Sequence, residues 1–427
     1  MNRLFENFLS APYRHDFVAA PPLLCEADAA RYFAGQGGTD YASVMREVDF
    51  LMDKGFPLGM ALVIGEMDGS VCRHIKKLVA RQADYVSWIT NGPMLIAVFR
   101  EGLFNELRQA WQLVVADNAD ITAGVAFSAS LKNHDELLAA ARIALQRAMV
   151  RRVDLLVLDA DQAVRAIDDH KLAVAMKKHL AAGGGDFEAY FQPQVDIDSG
   201  APLGAEALAR WHPDDADIPP SRFIPIAEEA GLIGGIGEMM FVRSARALKV
   251  MRRCGIEIPR IAVNVSPAQS RQGDFLRVVT DILKSERLGA GDIELEITES
   301  LAGTGDDDFM NWLSDIAAAG FHIAIDDFGT GMSTLARIRD IPAGKIKLDR
   351  AFVTPLPDDQ AACTTCRSAL DLVHGLGKTS LAEGVEYPAQ AAYLSALGCR
   401  MGQGFLWARP MTEKNLVSWW GNSAARH

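Results

Sequence analysis

From about Phe187 onward, short apolar runs alternate with longer amphipathic stretches. The runs "FEAYFQPQVD", "APLGAEALARW", "IAVNVS", "DIELEITES", "HIAIDDF", "AGKIKLDR", "TSLAEGVE" and "MGQGFLWA" read as strands. Between most of them lie helical patterns such as "RFIPIAEEAGLI", "MMFVRSARALKVMRRCG", "DFMNWLSDIAAAG" and "CRSALDLVHGLG", several closing on glycine as helix C-termini often do. Eight strands alternating with helices over roughly 240 residues predict an α/β fold of the (β/α)8 barrel type. The first two strands are joined only by "IDSGAP", too short for the crossover that parallel neighbours need, so they are expected to form an antiparallel hairpin.

The chain before this region has a different rhythm. "MALVIGEMDGS", "ADYVSWITNGPMLIAVF" and "ITAGVAFSAS" read as strands, and "ASVMREVDFLMDKG" and "HDELLAAARIALQRAMVRR" as helices, which predicts a smaller mixed α/β domain. A polar, helix-prone segment from Asp159 to Gly185 reads as the connection. Residues 1–40 have no clear periodicity and stay unassigned, leaving 41–160 and 161–427 as the expected domains.

Composition adds bounds. A chain of 427 residues, 49% hydrophobic and 23% charged, is ordinary globular material with room for two cores. Its formal charge of −12 argues against broad attraction to nucleic acid or anionic membrane, so no DNA or RNA partner is expected. An anionic substrate would need metal ions or placed Arg and Lys. No apolar run has the length of a membrane helix, and "MNRLFENFLSAPYRHDF" lacks the features of a signal peptide, so no membrane insertion and a cytoplasmic location are expected. Cys25, Cys72, Cys254, Cys363, Cys366 and Cys399 form no dense disulfide framework, and the single CxxC of Cys363 and Cys366 has no second half for a zinc site.

The candidate chemistry lies in the polar residues of the strand-like runs. Glu206, Asn264, Glu296, Asp326, Lys347, Glu383 and Gln403 fall one per strand, within or near its end. Strand C-termini of such barrels line a single mouth, where residues far apart in sequence meet. Carboxylates with an Asn and a Lys suit Mg²⁺ or Mn²⁺ rather than zinc. Asp326 and Asp327, adjacent where "HIAID" gives way to "DFGTG", would separate to opposite faces on a regular strand. In a turn they could converge, and two like charges that close need a cation between them or a shared proton; with the other acids at hand, they are expected to bridge a pair of metals.

These residues also carry a resemblance. "EALARW" at Glu206, "FQPQ" at Phe191, "NVS" at Asn264, "ELEITES" at Glu294, "DDFGTG" at Asp326, "KLDRAFV" at Lys347, "AEGVE" at Ala382 and "QGFLWARPM" at Gln403 stand in the order and spacing of the EAL domains, which are cyclic-di-GMP phosphodiesterases. The resemblance spans roughly residues 165 to 415. It implies a TIM-like barrel with one antiparallel strand, two Mg²⁺ or Mn²⁺ ions, and hydrolysis of cyclic-di-GMP to linear pGpG. It further implies that Glu206, Asn264, Glu296 and Asp326 hold one metal, and that Asp326, Asp327 and Glu383 hold the other. Lys347 would orient the bridging water, and Glu383 would be either a ligand or a general base. Gln192 and Arg210 resemble the substrate-contacting positions, with Arg210 at a phosphate. The Leu208 backbone and Gln403 would hold the guanine or the sugar-phosphate framework. Glu299 resembles the glutamate that anchors the loop after the paired aspartates. The chain departs from the family at Met332, where an aromatic residue is usual, which bears on the ordering of that loop. The alternative to an enzyme is a catalytically weak cyclic-di-GMP receptor, and the filled ligand positions favour the enzyme. A homodimer is the expected assembly.

The smaller domain resembles a GGDEF domain, the fold of diguanylate cyclases, with "TNGPM" from Thr90 to Met94 at the signature turn. The acid and most of the glycine needed for GTP and metal are missing there, which implies a regulatory rather than a synthetic role. Arg81 and Asp84 in "RQAD" sit at the spacing of the family's inhibitory RxxD site, although a surface ion pair gives the same letters. "GLGKTS" at Gly375 imitates the end of a phosphate-binding loop, but the first glycine is Leu372 and a strand rather than a helix is expected to follow.

Overall fold

A computed structural model describes residues 41–55, 57–64, 86–91, 94–100, 102, 104–105, 108–109, 111–112, 121–270, 273–302, 307–329 and 335–424. Arg81, Asp84 and Met332, together with the tip of the "TNGPM" turn, lie outside the described residues. The chain divides into two compact units between Lys171 and Leu172, within a helix from Ala160 to Ala181. The segment expected to connect the domains is thus helical through most of its length. No helix among the described residues is long and apolar enough to cross a membrane.

The first unit is a five-stranded sheet in the order β2-β3-β1-β4-β5, built from β1 (Leu58–Ile64), β2 (Val86–Asn91), β3 (Met94–Arg100), β4 (Thr122–Phe127) and β5 (Leu155–Leu158). Its inner pairings are antiparallel, and only β4 and β5 run parallel. The helix His134–Arg151 makes the crossover between those two. Asn133 caps it by accepting from the Glu136 amide at 3.0 Å, and Asp135 and Glu136 favour the same end. This helix presses on the sheet so closely that a Cβ at Gly124 would overlap the Leu145 backbone. β5 was not foreseen in the sequence: four residues followed directly by a helix leave little periodicity to read. β2 and β3 pair antiparallel, with Asn91 opposite Met94.

The second unit is a closed eight-stranded barrel. Its strands are β6 (Phe187–Asp196), β7 (Pro202–Trp211), β8 (Ile261–Val265), β9 (Ile293–Thr298), β10 (His322–Phe328), β11 (Lys345–Leu348), β12 (Thr379–Ala382) and β13 (Met401–Gly402), closing β13 against β6. β6 is antiparallel to both neighbours, as the short "IDSGAP" link requires, and all other pairings are parallel. The outer helices bury one stripe each; in the helix Phe275–Ser285 it is Phe275, Val279 and Leu283, at a spacing of four. Outside the sheet, Trp211 stacks on Phe187 at 5.5 Å and meets Phe223 edge-on.

The strand alternation is inverted relative to a simple hydrophobic core. On β9, Ile293, Leu295 and Ile297 join the apolar layer under the helices, and on β11 Ile346 and Leu348 do the same. Glu294, Glu296, Lys345 and Lys347 take the other face and are buried inside the barrel. Two sequence decoys resolve as ordinary structure. Cys363, Cys366 and Cys399 are buried free thiols, and Lys378 donates to the Ile341 and Ala343 carbonyls at 2.9 and 2.8 Å between a helix and β12.

Candidate metal centre at the barrel mouth

Lys347 is the organising side chain. It is fully buried, and its Nζ lies 2.8 Å from Glu383, 2.9 Å from Glu296, 3.0 Å from Asp326 and 3.4 Å from Glu206. One ammonium therefore faces four carboxylates carried by β7, β9, β10 and the residue after β12. Burial works against its charge, yet those four acids outweigh it and hold the Lys347 pKa well above the usual lysine value.

Glu206 is clamped on its other side by amides. Asn264 Nδ2 donates to Glu206 Oε1 at 2.8 Å, and Gln403 Nε2 donates to Glu206 Oε2 at 2.6 Å. Gln403 Nε2 is also 3.2 Å from Gln192 Oε1, and Gln192 Nε2 donates to the Ala408 carbonyl at 3.1 Å. Gln192 and Gln403, expected at the substrate, thus also form a buried brace behind Glu206. Desolvation would raise the Glu206 pKa, but Lys347 and these donors overcome it and hold the carboxyl below its ordinary range.

The paired aspartates show how two neighbours reach one place. β10 pairs regularly with β9 as far as Asp326, and its register with β11 shifts between Ile325 and Phe328. Asp327 then takes a left-handed φ of +54°, which cancels the strand alternation that would send it to the opposite face. The bend is held from outside. Glu299, buried, accepts from the Gly329 amide at 2.7 Å. Gly329 itself has φ of +99°, and a Cβ there would overlap the Phe352 ring, so glycine is required twice over. Through its bond to the Gly329 amide, Glu299, at the start of the short helix after β9, is tied to the first glycine after β10. The loop's later part, with Met332, is outside the described residues.

Carboxylate oxygens gather into two groups that share Asp326: Glu206, Glu296 and Asp326 form one, and Asp326, Asp327 and Glu383 the other, with ligand atoms inside each within 4.8 Å of one another. The charge is unbalanced, since one lysine cannot offset so many acids. The excess works against the charged form of several of these carboxyls. Burial, then Glu206, pushes Glu296 well above the carboxylate range, and burial and Asp326 raise Asp327. Burial likewise pushes Glu383 up to about 8, against the pull of Lys347. Among the described residues, neither buried oxygen of Glu296 accepts a hydrogen bond of good geometry. Buried carboxylate oxygens that share one lysine, surplus negative charge and an all-oxygen donor set fit hard divalent cations.

The remaining expected residues lie around this core. Glu206, Leu208 and Arg210 alternate on one face of β7. Arg210 is half-buried, donates to the Ala209 carbonyl at 2.8 Å and lies 5.3 Å from the Tyr190 ring, so it is at the rim rather than among the acids. Asn264 is exposed, with its Nδ2 committed to Glu206 and its Oδ1 left as an acceptor. Sequence reasoning missed Glu294 and Lys345, buried one step further down the same strands. Their signal was legible: "ELE" and "KIK" each repeat a charge at a spacing of two inside an apolar run.

Comparison with known proteins agrees with this geometry. The chain is 32% identical over 249 residues to the oxygen sensor protein DosP of Escherichia coli, covering 58% of this chain and 31% of that one. It is 34% identical over 240 residues to the cyclic di-GMP phosphodiesterase RocR of Pseudomonas aeruginosa, covering 56% of this chain and 61% of the relative. The matched part is thus less than two thirds of either relative. Among solved structures, the PaMucR phosphodiesterase in its c-di-GMP complex matches with a TM-score of 0.55 and 34% identity, over 58% of this chain and 99% of that one. The EAL domain profile matches residues 174–410, more than half of the chain and the whole set of barrel strands, and the chain belongs to the EAL domain family.

Proposed function

We propose that the chain is a metal-dependent phosphodiesterase that hydrolyses cyclic-di-GMP to linear pGpG. The observation that carries this reading is the pair of carboxylate groups sharing Asp326 around a buried lysine. Glu206, Asn264, Glu296 and Asp326 would hold one Mg²⁺ or Mn²⁺, and Asp326, Asp327 and Glu383 the second. When bound, two such ions activate a water for attack and offset negative charge on the phosphoryl and leaving oxygens.

The chain's own residues supply position and proton control. Lys347, held protonated, is a donor at the meeting point of the acids and orients the attacking water by its lone pair. Glu383, with a carboxyl pushed up to about 8, exchanges a proton just above neutral pH, which suits either ligation or general-base work. Arg210 at the rim binds a phosphate, and the Leu208 backbone and Gln403 orient the nucleotide framework. The relative RocR, named as a cyclic di-GMP phosphodiesterase, and PaMucR, solved with c-di-GMP, support the choice of substrate.

Purified full chain with Mg²⁺ or Mn²⁺ is expected to convert cyclic-di-GMP to pGpG, followed by chromatography of the nucleotides. Tight binding without turnover in either metal would instead establish the receptor reading. The first unit is proposed to be a degenerate GGDEF-like regulatory domain in a cytoplasmic homodimer, with Arg81 and Asp84 as its nucleotide contact. Incubation with GTP and Mg²⁺ is expected to yield no cyclic product; measurable synthesis would refute the regulatory assignment.

A further inference from the structure

Below the acid cluster the barrel carries a second charged layer. Glu294 precedes Glu296 by two residues on β9, and Lys345 precedes Lys347 by two on β11, so both pairs face inward about 7 Å apart along the strands. Lys345 Nζ lies 2.6 Å from Glu294 Oε1 and 3.1 Å from Gln194 Oε1, and Arg260 Nη1 lies 3.8 Å from Glu294 Oε2. Lys345, Glu294 and Gln194 are all buried. None of them belongs to either carboxylate group at the mouth.

Stability alone is a poor reason for this layer, because a buried ion pair is often no better than apolar residues of the same volume. Its position gives a better one. Lys347 has a long flexible stem, and an unpaired Glu294 beneath it would compete with the mouth acids for its ammonium. An unpaired Lys345 would be a second ammonium beneath Glu296, repelling any cation bound above. With both present, the two buried charges cancel beneath the mouth, and Arg260, partly exposed to solvent, adds only a screened charge.

We propose that Glu294 and Lys345 are positioning residues: a paired ionic floor that keeps Lys347 committed to Glu206, Glu296, Asp326 and Glu383 and keeps a second ammonium out of the metal centre. The inference rests on the metal-centre reading and deepens it. It concerns charge balance, so its signature is a pair of single substitutions with effects of opposite sign.

Mn²⁺ uptake by the full chain, read from the electron paramagnetic resonance of free Mn²⁺, tests this without depending on turnover. Lys345→Met leaves Glu294 facing only the partly exposed Arg260, a more negative floor than wild type, and is expected to tighten Mn²⁺ binding about tenfold, while kcat falls as Lys347 is drawn down. Glu294→Gln leaves a positive floor and is expected to weaken Mn²⁺ binding about tenfold. The double variant, which restores the wild-type net charge of the layer, is expected to return to within about threefold of wild type. Should Lys345→Met not fold, Lys345→Gln makes the same change of charge. Weakened binding in both single variants, compounded in the double, would mean a packing role and overturn the proposal. A wild-type chain that takes up no Mn²⁺ overturns the metal centre and this inference together. If wild type binds Mn²⁺ without hydrolysing cyclic-di-GMP, only the phosphodiesterase reading fails, and opposed shifts in the variants still uphold the floor.

Discussion

Lys347 and Lys345 leave β11 two residues apart, point into the same barrel and are both buried, yet their surroundings differ in stoichiometry. Lys347 meets four carboxylates within 3.4 Å, whereas Lys345 meets one carboxylate and an amide, with Arg260 beyond. In the lower layer the buried charges are matched one to one. The upper layer has surplus negative charge, and burial with mutual repulsion pushes the Glu296 and Glu383 carboxyls above their ordinary range. Burial alone therefore does not mark a functional site. An imbalance that the chain leaves for an outside charge to complete does, because an uncompensated buried ion is far too costly to be retained for packing.

That contrast can be broken most severely at Glu206, which belongs to a candidate cation group and to the amide brace at once. Glu206→Ala is expected to lower turnover of cyclic-di-GMP by a factor on the order of 10³ while circular dichroism still reports a folded barrel. Near-normal turnover would remove Glu206 from the metal centre. Lys347→Ala comes next. If Lys347 acts on the attacking water, kcat should fall roughly 10²-fold with KM changed less than about threefold, since the interaction is made mainly in the transition state. A raised KM with kcat intact would make it a substrate-binding residue instead.

The smallest expected effect sharpens the comparison through pH. Glu383 is pushed up to about 8, so without cations it carries a proton at pH 7 that a cation must displace. Mn²⁺ affinity of the full chain should then rise as pH increases from 6 to 8, by at most about tenfold per unit for this one proton, and level off above. Stability of the cation-free chain should move oppositely. Because the folded-state value lies above the ordinary 4.5, the folded chain binds a proton in this window that the unfolded chain does not, and stability is lost as pH rises toward 8. Calorimetry in chelator checks the sign; a cation-free chain that gains stability from pH 6 to 8 would place the proton elsewhere.

Much of the site could be read from the chain before any coordinates. Glu206, Asn264, Glu296, Asp326, Lys347 and Glu383 stand one per strand at the places where polar residues interrupt apolar runs, and five of the six converge on Lys347 or on its partners. What escaped was the second layer and the brace. Glu294 and Lys345 were hidden because a charged residue two positions below a site residue looks like an exposed strand face unless the barrel is known to close over it. Gln192 and Gln403 read as substrate contacts from their motifs, while their hydrogen bonds to each other and to Glu206 depend on β13 closing against β6.

The amino-acid sequence by itself determined the local choices: which runs are strands, where helices stop, that "IDSGAP" permits only a hairpin, and that an acid pair sits where a strand meets glycine. These are decided within a few residues, by side-chain period, backbone freedom and loop length. Tertiary structure decided everything that depends on closure. Gln403 donates to Glu206 across 197 residues of chain, and Lys345 reaches Glu294 across 51, because the barrel's strand order places their strands around one interior. The left-handed turn at Asp327 belongs to the same class. Just beyond it, Gly329 is tied to Glu299 on the neighbouring strand's end and lies against the ring of Phe352, partners that no local pattern in "HIAIDDFGTG" contains.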